Sequence, residues 1–192
     1  LQNLGLSFYP QWHYAVVVGH ALDVREFTLR SGTEREQRMG FNTLEHTWAR
    51  ASHWALVVRP PGQWPITARQ DDAEQSAAAF ERTAAPVVAL SVYQSLLQRW
   101  PDSLVAMMGQ GNVNLKAGNL RAAAEGYTRA ATRHDSAAAW NNLAVARAQL
   151  GDAAAAMDAA LKAVARAQAQ EPALLTSAQD TLQALRRGEV PR

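Results

Sequence analysis

The amino-acid sequence predicts an α+β protein in which a small antiparallel sheet is followed by an array of helical hairpins. Three observations lead to this fold class. The chain beyond about residue 70 repeats itself with a period of 33 to 34 residues, which indicates stacked helical hairpins. The first 65 residues contain three strand-like runs and one helix start. Near residue 65 a composition rich in aromatic and β-branched residues gives way to one rich in alanine.

Three apolar runs in the first part of the chain are predicted to be strands. The first, WHYAVVVGHA at residues 12–21, is apolar on both faces, and this is typical of a central strand. The second, VREFTLR at residues 24–30, alternates apolar and polar residues, so one of its faces is expected to meet solvent. The third is HWALVVR at residues 53–59. The predicted order is strand, strand, helix, strand.

The helix between the second and third runs is predicted from the segment FNTLEHTWARA. Asn42 is the expected N-cap, and Glu45 stands three residues later, where it can form the reciprocal bond of a capping box. The apolar residues then recur at helical spacing, so one face of the helix should be buried. That face consists of Leu44, Trp48 and Ala51.

The repeat is clearest from Ala137 onward. Large residues stand at positions 4, 7 and 24 of the unit, small residues at positions 8, 20 and 27, and glycine at position 15. The residues that show this are Trp140, Leu143, Ala144, Gly151, Ala156 and Ala163 in one copy and Gly111, Gly118, Ala123, Tyr127 and Ala130 in the copy before it. Small residues let two helices approach closely, and the glycine ends the first helix. These spacings resemble the tetratricopeptide repeat, a helix-turn-helix unit of about 34 residues.

The resemblance implies an all-α superhelix. Its three repeats are expected at residues 70–103, 104–136 and 137–170, and a capping helix at 171–188 should shield the last repeat from water. The proline-rich stretch at residues 61–69 is expected to be a linker, because prolines disrupt both helices and central strands.

The resemblance also implies a concave groove, lined by the first helix of each repeat, that takes a protein or peptide partner. The groove is apolar with amide groups, and an extended peptide has a backbone that needs hydrogen bonds. The expected partner-binding residues are Val105, Met108, Asn112, Leu115, Asn141, Asn142 and Val145. Asn112 and Asn142 resemble part of a clamp for a terminal carboxylate, but its lysines and arginines are absent. Such asparagines more often bond to neighbouring backbone.

The acidic residues Asp71, Glu74 and Glu81 are interpreted as a solvated face.

The first 60 residues resemble the bacteriocin-processing peptidases, which are papain-like cysteine peptidases. The resemblance lies in WHYAVVVG, the strand after it, FNTLEHTW and WALVV, and it would cover the C-terminal half of that domain. It implies that His13 is the general base, because an imidazole can take and return a proton near neutral pH. The alternative is a structural histidine at the end of a strand.

Two features of the sequence depart from that family. The chain has no cysteine, so the nucleophile would lie on a helix upstream of this segment. Leu29, Arg30 and Ser31 stand where the family has its aspartate. The leading hypothesis is a bacterial cysteine-peptidase-like protein, a possible hydrolase, whose repeat arm binds a protein partner. The alternative is a catalytically inactive scaffold for protein–protein interaction.

Charge and composition exclude several other functions. The formal net charge is only +2 and no basic block occurs, so nucleic-acid binding is not expected. We expect no transmembrane segment in this part, no cofactor, and no metal site, since His20, His46 and His53 are widely scattered. The chain opens without methionine, so we expect an upstream part. An export signal there would make the protein periplasmic or membrane-associated; otherwise it would be cytoplasmic.

Overall fold

The computed structural model describes residues 1–6 and 8–191. The chain forms two compact units, which divide between Val58 and Arg59. The first unit contains the strands and one helix. The second unit contains the helical hairpins. This agrees with the predicted mixture of a small antiparallel sheet region and a helical array.

The first unit is built from two antiparallel sheets and a helix. Its elements are β1 (Gln2–Asn3), β2 (Trp12–His13), β3 (Ala15–Ala21), β4 (Glu26–Ser31), β5 (Glu34–Gly40) and α1 (Phe41–Ala49). Strand β1 pairs with β2, and the other three form a sheet in the order β3-β4-β5. The buried side chains of this unit include Leu29 from β4 and Leu44 from α1.

Strand β3 lies at an edge of its sheet, so the prediction of a central strand was wrong. The central strand is β4, which pairs with β3 through Val16↔Arg30 and with β5 through Thr28↔Arg38. Strand β5 was not predicted, because its sequence EREQRMG is almost wholly polar. It forms because a two-residue turn at Gly32, with φ +59°, folds the chain back beside β4.

The third apolar run, residues 53–59, forms no strand, which corrects a second prediction. Ser52 and His53 both have positive φ angles, of 52° and 54°, so the chain turns sharply where the strand was expected to begin. The carbonyl of Trp54 then accepts a hydrogen bond of 2.8 Å from the Trp48 indole. Local turn geometry has therefore outweighed the strand propensity of this run.

Helix α1 also begins differently from the prediction. Gly40 occupies the N-cap position, and no side chain caps the helix. Asn42 lies inside the first turn, where its carbonyl oxygen is 2.6 Å from His46 Nδ1. Glu45 does not bond back to the helix start but lies 2.7 Å from His53 Nε2. The predicted capping box is therefore absent.

The second unit consists of paired antiparallel helices. They are α2 (Gln70–Glu81), α3 (Pro86–Arg99), α4 (Leu104–Lys116), α5 (Leu120–His134), α6 (Ala137–Gln149), α7 (Ala153–Ala169) and α8 (Leu175–Arg186), with a 3₁₀ turn at Pro172–Leu174. Gly118 and Gly151 have φ angles of +78° and +81° and so turn the chain between the helices of the last two hairpins. Asp152 caps α7 by accepting a hydrogen bond from Ala155 N.

The core of the helical unit is built from alanines, with a few large side chains between them. Alanines at the repeating small positions are fully buried, among them Ala123, Ala130, Ala144, Ala156 and Ala163. Tyr93 and Tyr127 fill the remaining space on the two sides of α4. Alanine leaves little distance between helix axes, so close packing rather than large apolar area holds this unit together.

The proline-rich segment at residues 61–69 contacts helix α3. Trp64 donates a hydrogen bond of 3.0 Å to Ser95 Oγ. The Arg99 guanidinium donates bonds of 2.6 Å to the carbonyl oxygens of Pro65 and Ile66. The Arg99 bonds satisfy backbone carbonyl groups that a segment without regular structure would otherwise leave to water.

Candidate functional site

Four of the predicted partner-binding residues lie on one side of helix α4. Val105, Met108, Asn112 and Leu115 follow each other at steps of three, four and three residues, which places them along a single helix face. Val105 is 37% exposed, and the other three are partly exposed. This face of α4 therefore combines apolar area with one carboxamide, and both remain accessible.

Helix α6 carries the other three predicted residues. Asn141 and Asn142 are partly exposed, whereas Val145 is buried and offers little surface. The Asn141 Oδ1 atom is enclosed and has no hydrogen-bond partner in the part of the chain that the structure describes. A buried acceptor without a donor is unusual in folded proteins, so α6 has unsatisfied hydrogen-bonding capacity here.

Tyr127 of α5 forms a hydrogen bond with the asparagine of α4. Its hydroxyl donates a bond of 2.8 Å to Asn112 Oδ1. We call the accessible predicted residues of the two first helices the α4–α6 face, and define it as Val105, Met108, Asn112, Leu115, Asn141 and Asn142.

The Tyr127 phenol is neutral at physiological pH. Burial raises its pKa to about 12, and the negative charge of Glu81 raises it further. The protonated hydroxyl is the donor of the hydrogen bond to Asn112 Oδ1.

The same arrangement recurs one repeat earlier, with charged partners. The Tyr93 hydroxyl donates a hydrogen bond of 2.7 Å to Glu81 Oε2, and Lys116 Nζ lies 2.8 Å from Glu81 Oε1. The Glu81 side chain is only 12% exposed. Burial first, and then the hydrogen bond and charge of Glu81, raise the pKa of Tyr93.

The interpretation of the acidic residues as a solvated face was wrong for Glu81 and Glu74. Glu74 Oε1 accepts a hydrogen bond of 2.6 Å from Ser103, which is fully buried and caps α4 by accepting a bond from Ala106 N. Both carboxylates join α2 to α4. The sequence did not reveal this role, because their partners stand 29 and 35 residues further along the chain.

His13, the predicted general base, lies on β2 and is partly buried. Its Nε2 atom is 2.7 Å from Ser31 Oγ at the end of β4. Ser31 is one of the three residues at the position where the resemblance would place an aspartate. A hydroxyl can hold an imidazole in one orientation, but it carries no charge to stabilise the protonated ring.

The remaining histidines do not converge. His46 bonds within its own helix, and His53 bonds to Glu45. Within residues 1–6 and 8–191, no group of three or more potential ligands is placed to hold a metal ion.

The family comparison finds a similarity within the helical unit. The sequence profile of the tetratricopeptide repeat family matches residues 88–135 and 108–172. These matches begin inside α3 and end beyond α7, and they do not reach the strands of the first unit. No curated protein matches the chain. Among the described residues, no helix has the length and apolarity to cross a membrane. The region from α3 to α7 is thus similar to tetratricopeptide repeats, and its glycine turns and buried alanines agree with that similarity.

Proposed function

We propose that the repeats bind a protein partner, and that the partner lies along the α4–α6 face as an extended peptide. Tetratricopeptide repeats indicate protein–protein interaction, which supports the general function. The observation that supports the location is the row of accessible apolar side chains on one face of α4 beside Asn112, whose carboxamide Tyr127 holds by a hydrogen bond of 2.8 Å.

The chemistry of this face suits a polypeptide. Val105, Met108 and Leu115 offer apolar area that a partner's side chains can remove from water. The carboxamides of Asn112 and Asn142 can bond to backbone groups, which an extended peptide exposes at every residue. Peptide sites commonly combine apolar lining with a few placed polar groups.

The experiment uses a phage-displayed library of 12-residue peptides, selected against the purified protein. The tightest selected peptide is synthesised, and its affinity is measured by fluorescence anisotropy. We expect Val105→Glu to weaken binding at least about tenfold, because the carboxylate must be desolvated against an apolar surface. The matched control is Val87→Glu on α3, at a position that is 74% exposed and outside the face.

The control variant should bind within about twofold of the unchanged protein, since its new charge remains in water. Failure to select any peptide would contradict the proposal. Equal losses for Val105→Glu and Val87→Glu would also contradict it, because binding would then not depend on this face.

A second candidate function is favoured by the contact between His13 and Ser31. We propose that the first unit is the base-carrying part of a papain-like cysteine peptidase, in which Ser31 orients the imidazole of His13. The mechanism needs a thiol whose proton the imidazole removes, and this thiol would come from outside residues 1–192. Without it, the unit acts as a binding module of an inactive scaffold.

Thiol labelling separates the two possibilities. The natural protein that carries this chain is treated with iodoacetamide at pH 7, and the labelling rate is compared with that of His13→Ala and of the control His20→Ala. A peptidase dyad predicts slower labelling in His13→Ala alone, because the thiolate loses its imidazolium partner. Identical rates in all three proteins favour the inactive scaffold.

A further inference from the structure

Strand β3 forms an edge of its sheet, and its outer side is open. It pairs with β4 along one side, and no strand in the described part of the chain pairs with the other. An edge strand presents a row of backbone N–H and C=O groups that can pair with a further strand. Seven residues, Ala15–Ala21, form this row, and none of them is an aspartate, glutamate, lysine or arginine.

The side chains of β3 are also incompletely covered. Val17 is the cross-strand neighbour of Leu29, which is fully buried, yet Val17 itself is 53% exposed. Val16, which points to the other face, is 62% exposed, and Val18 is 49% exposed. The sheet face that carries Leu29 is therefore left open at β3. A strand added beside β3 would remove this apolar surface from water.

The opposite edge of the sheet is protected by charge. Strand β5 carries Glu34, Arg35, Glu36 and Arg38, all of them exposed. Charged side chains on an edge strand hinder its pairing with another chain. One edge of this sheet thus resists a further strand, whereas the other is open to one. An assembly built through the open edge alone stops at two copies.

We propose that β3 is the interface of a homodimer, in which the β3 strands of two copies pair antiparallel and join two three-stranded sheets into one. A twofold axis relates the copies, so the same edge serves both. Full overlap of two seven-residue strands places this axis at Val18, the middle residue of β3. The inference goes beyond the proposed peptide binding, which concerns the other unit.

The sequence around β3 is complementary to itself in this alignment, which favours a second copy over a different protein. Beyond the ends of the strand, Tyr14 of one copy comes opposite Leu22 of the other, and these side chains are 70% and 71% exposed. One step further out, Trp12 comes opposite Val24, and both are 56% exposed. Apolar residues therefore meet apolar residues at both ends, and no like charges face each other within the strand pair.

Analytical ultracentrifugation of the 192-residue chain tests the proposal. We expect a monomer–dimer equilibrium with a dissociation constant on the order of 10 μM, because a single strand pair is a small interface. Val18→Lys should weaken dimerisation at least about tenfold, since two ammonium groups then meet at the axis. The matched control is Glu36→Lys on β5, which places the same side chain at an exposed position of the other edge. It should dimerise like the unchanged chain.

Disulfide cross-linking is a second measurement, which does not depend on a folded lysine variant. The chain has no cysteine, so a single introduced thiol can pair only with that of a second copy. Val18→Cys should form a covalent dimer under mild oxidation, because opposed Cα atoms of an antiparallel pair lie about 4.5–5.5 Å apart, within disulfide range. The control Val24→Cys is at a 56% exposed position beyond the end of β3, far from the axis, and should remain mostly uncross-linked.

An unchanged chain that stays monomeric up to about 500 μM would overturn the proposal, since the expected dimer is saturated there. Equal dimerisation of Val18→Lys and the unchanged chain would overturn it, and so would an equal loss in Glu36→Lys. Equal cross-linking of the two cysteine variants would also contradict pairing at β3. None of these results bears on peptide selection at the α4–α6 face, so the two proposals can fail separately.

Discussion

The ring of Tyr127 lies in the space that Gly111 leaves open on helix α4, and a Cβ atom at position 111 would overlap the ring unless one of the two moved. Tyr93 is related to Gly109 in the same way from the other side of the helix. Helix α4 is therefore clamped between two tyrosines from α3 and α5. This packing fixes the position of α4 between α3 and α5.

Gly111→Ala should destabilise the helical unit by about 1–3 kcal/mol. The added methyl overlaps the Tyr127 ring, and this overpacking outweighs the gain of about 1 kcal/mol that alanine brings to a helix interior. Urea unfolding followed by circular dichroism measures the change. In a Tyr127→Ala background the same substitution should cost much less, because the cavity accepts the methyl. Equal costs in both backgrounds would disprove the contact.

Ser103→Ala should cost about 2 kcal/mol of unfolding free energy. It removes the cap of α4 and leaves Glu74 without the hydroxyl donor that lies 2.6 Å away. Ser136→Ala is a matched control, since Ser136 occupies the N-cap position of α6 without a side-chain capping bond. The control should lie within about 0.5 kcal/mol of the unchanged protein. A similar loss of unfolding free energy in both variants would show that the hydrogen bonds of Ser103 do not stabilise the helical unit.

Stability should decline in alkaline solution as Tyr127 ionises. Its pKa in the folded protein is about 12 against a usual 10.0, so the folded state holds the proton more tightly than the unfolded state. The contribution is fully present below pH 10 and is lost as the pH rises from 10 towards 12. It amounts to something on the order of 2 kcal/mol. Urea unfolding between pH 9 and about 11.5 should show a smaller decline for Tyr127→Phe, and equal declines would contradict the assignment.

Leu29→Ala on β4 should destabilise the three-stranded sheet more than Val16→Ala on β3. Leu29 is fully buried on the central strand, whereas Val16 on β3 is 62% exposed. We expect a loss of about 2–4 kcal/mol for Leu29→Ala and less than about 1 kcal/mol for Val16→Ala. Near-ultraviolet circular dichroism of the first unit's tryptophans reports the unfolding. The reverse order would show that β3, not β4, carries the core.

The helical hairpins could be predicted from the sequence because their packing repeats. Gly118 and Gly151 mark equivalent turns, and Asp152 is a recognisable N-cap, so each signal supports the others. The residues of the α4–α6 face were predicted from the same resemblance, because it placed Asn112 and Asn142 on the first helices of their repeats. The hydrogen bond between Asn112 and Tyr127 could not be predicted, because it depends on how closely α4 and α5 approach each other.

The strands were harder to predict, because a sheet is determined by pairing between distant segments. Residues 53–59 have a strand-like composition, yet positive φ angles at Ser52 and His53 prevent them from extending a strand. Strand β5 has a polar sequence, yet the turn at Gly32 places it beside β4. The contact between His13 and Ser31 likewise joins residues from two different sheets.

The most direct test of the central claim is an NMR titration of the isotopically labelled protein with the selected peptide. Binding at the α4–α6 face predicts that the largest shift changes cluster at Val105, Met108 and Asn112 on α4 and at Asn141 and Asn142 on α6. The shift changes of the Asn112 and Asn142 side-chain amides should give the same dissociation constant as those of the backbone signals. Shift changes confined to α3, α7 or the strands of the first unit would contradict the account.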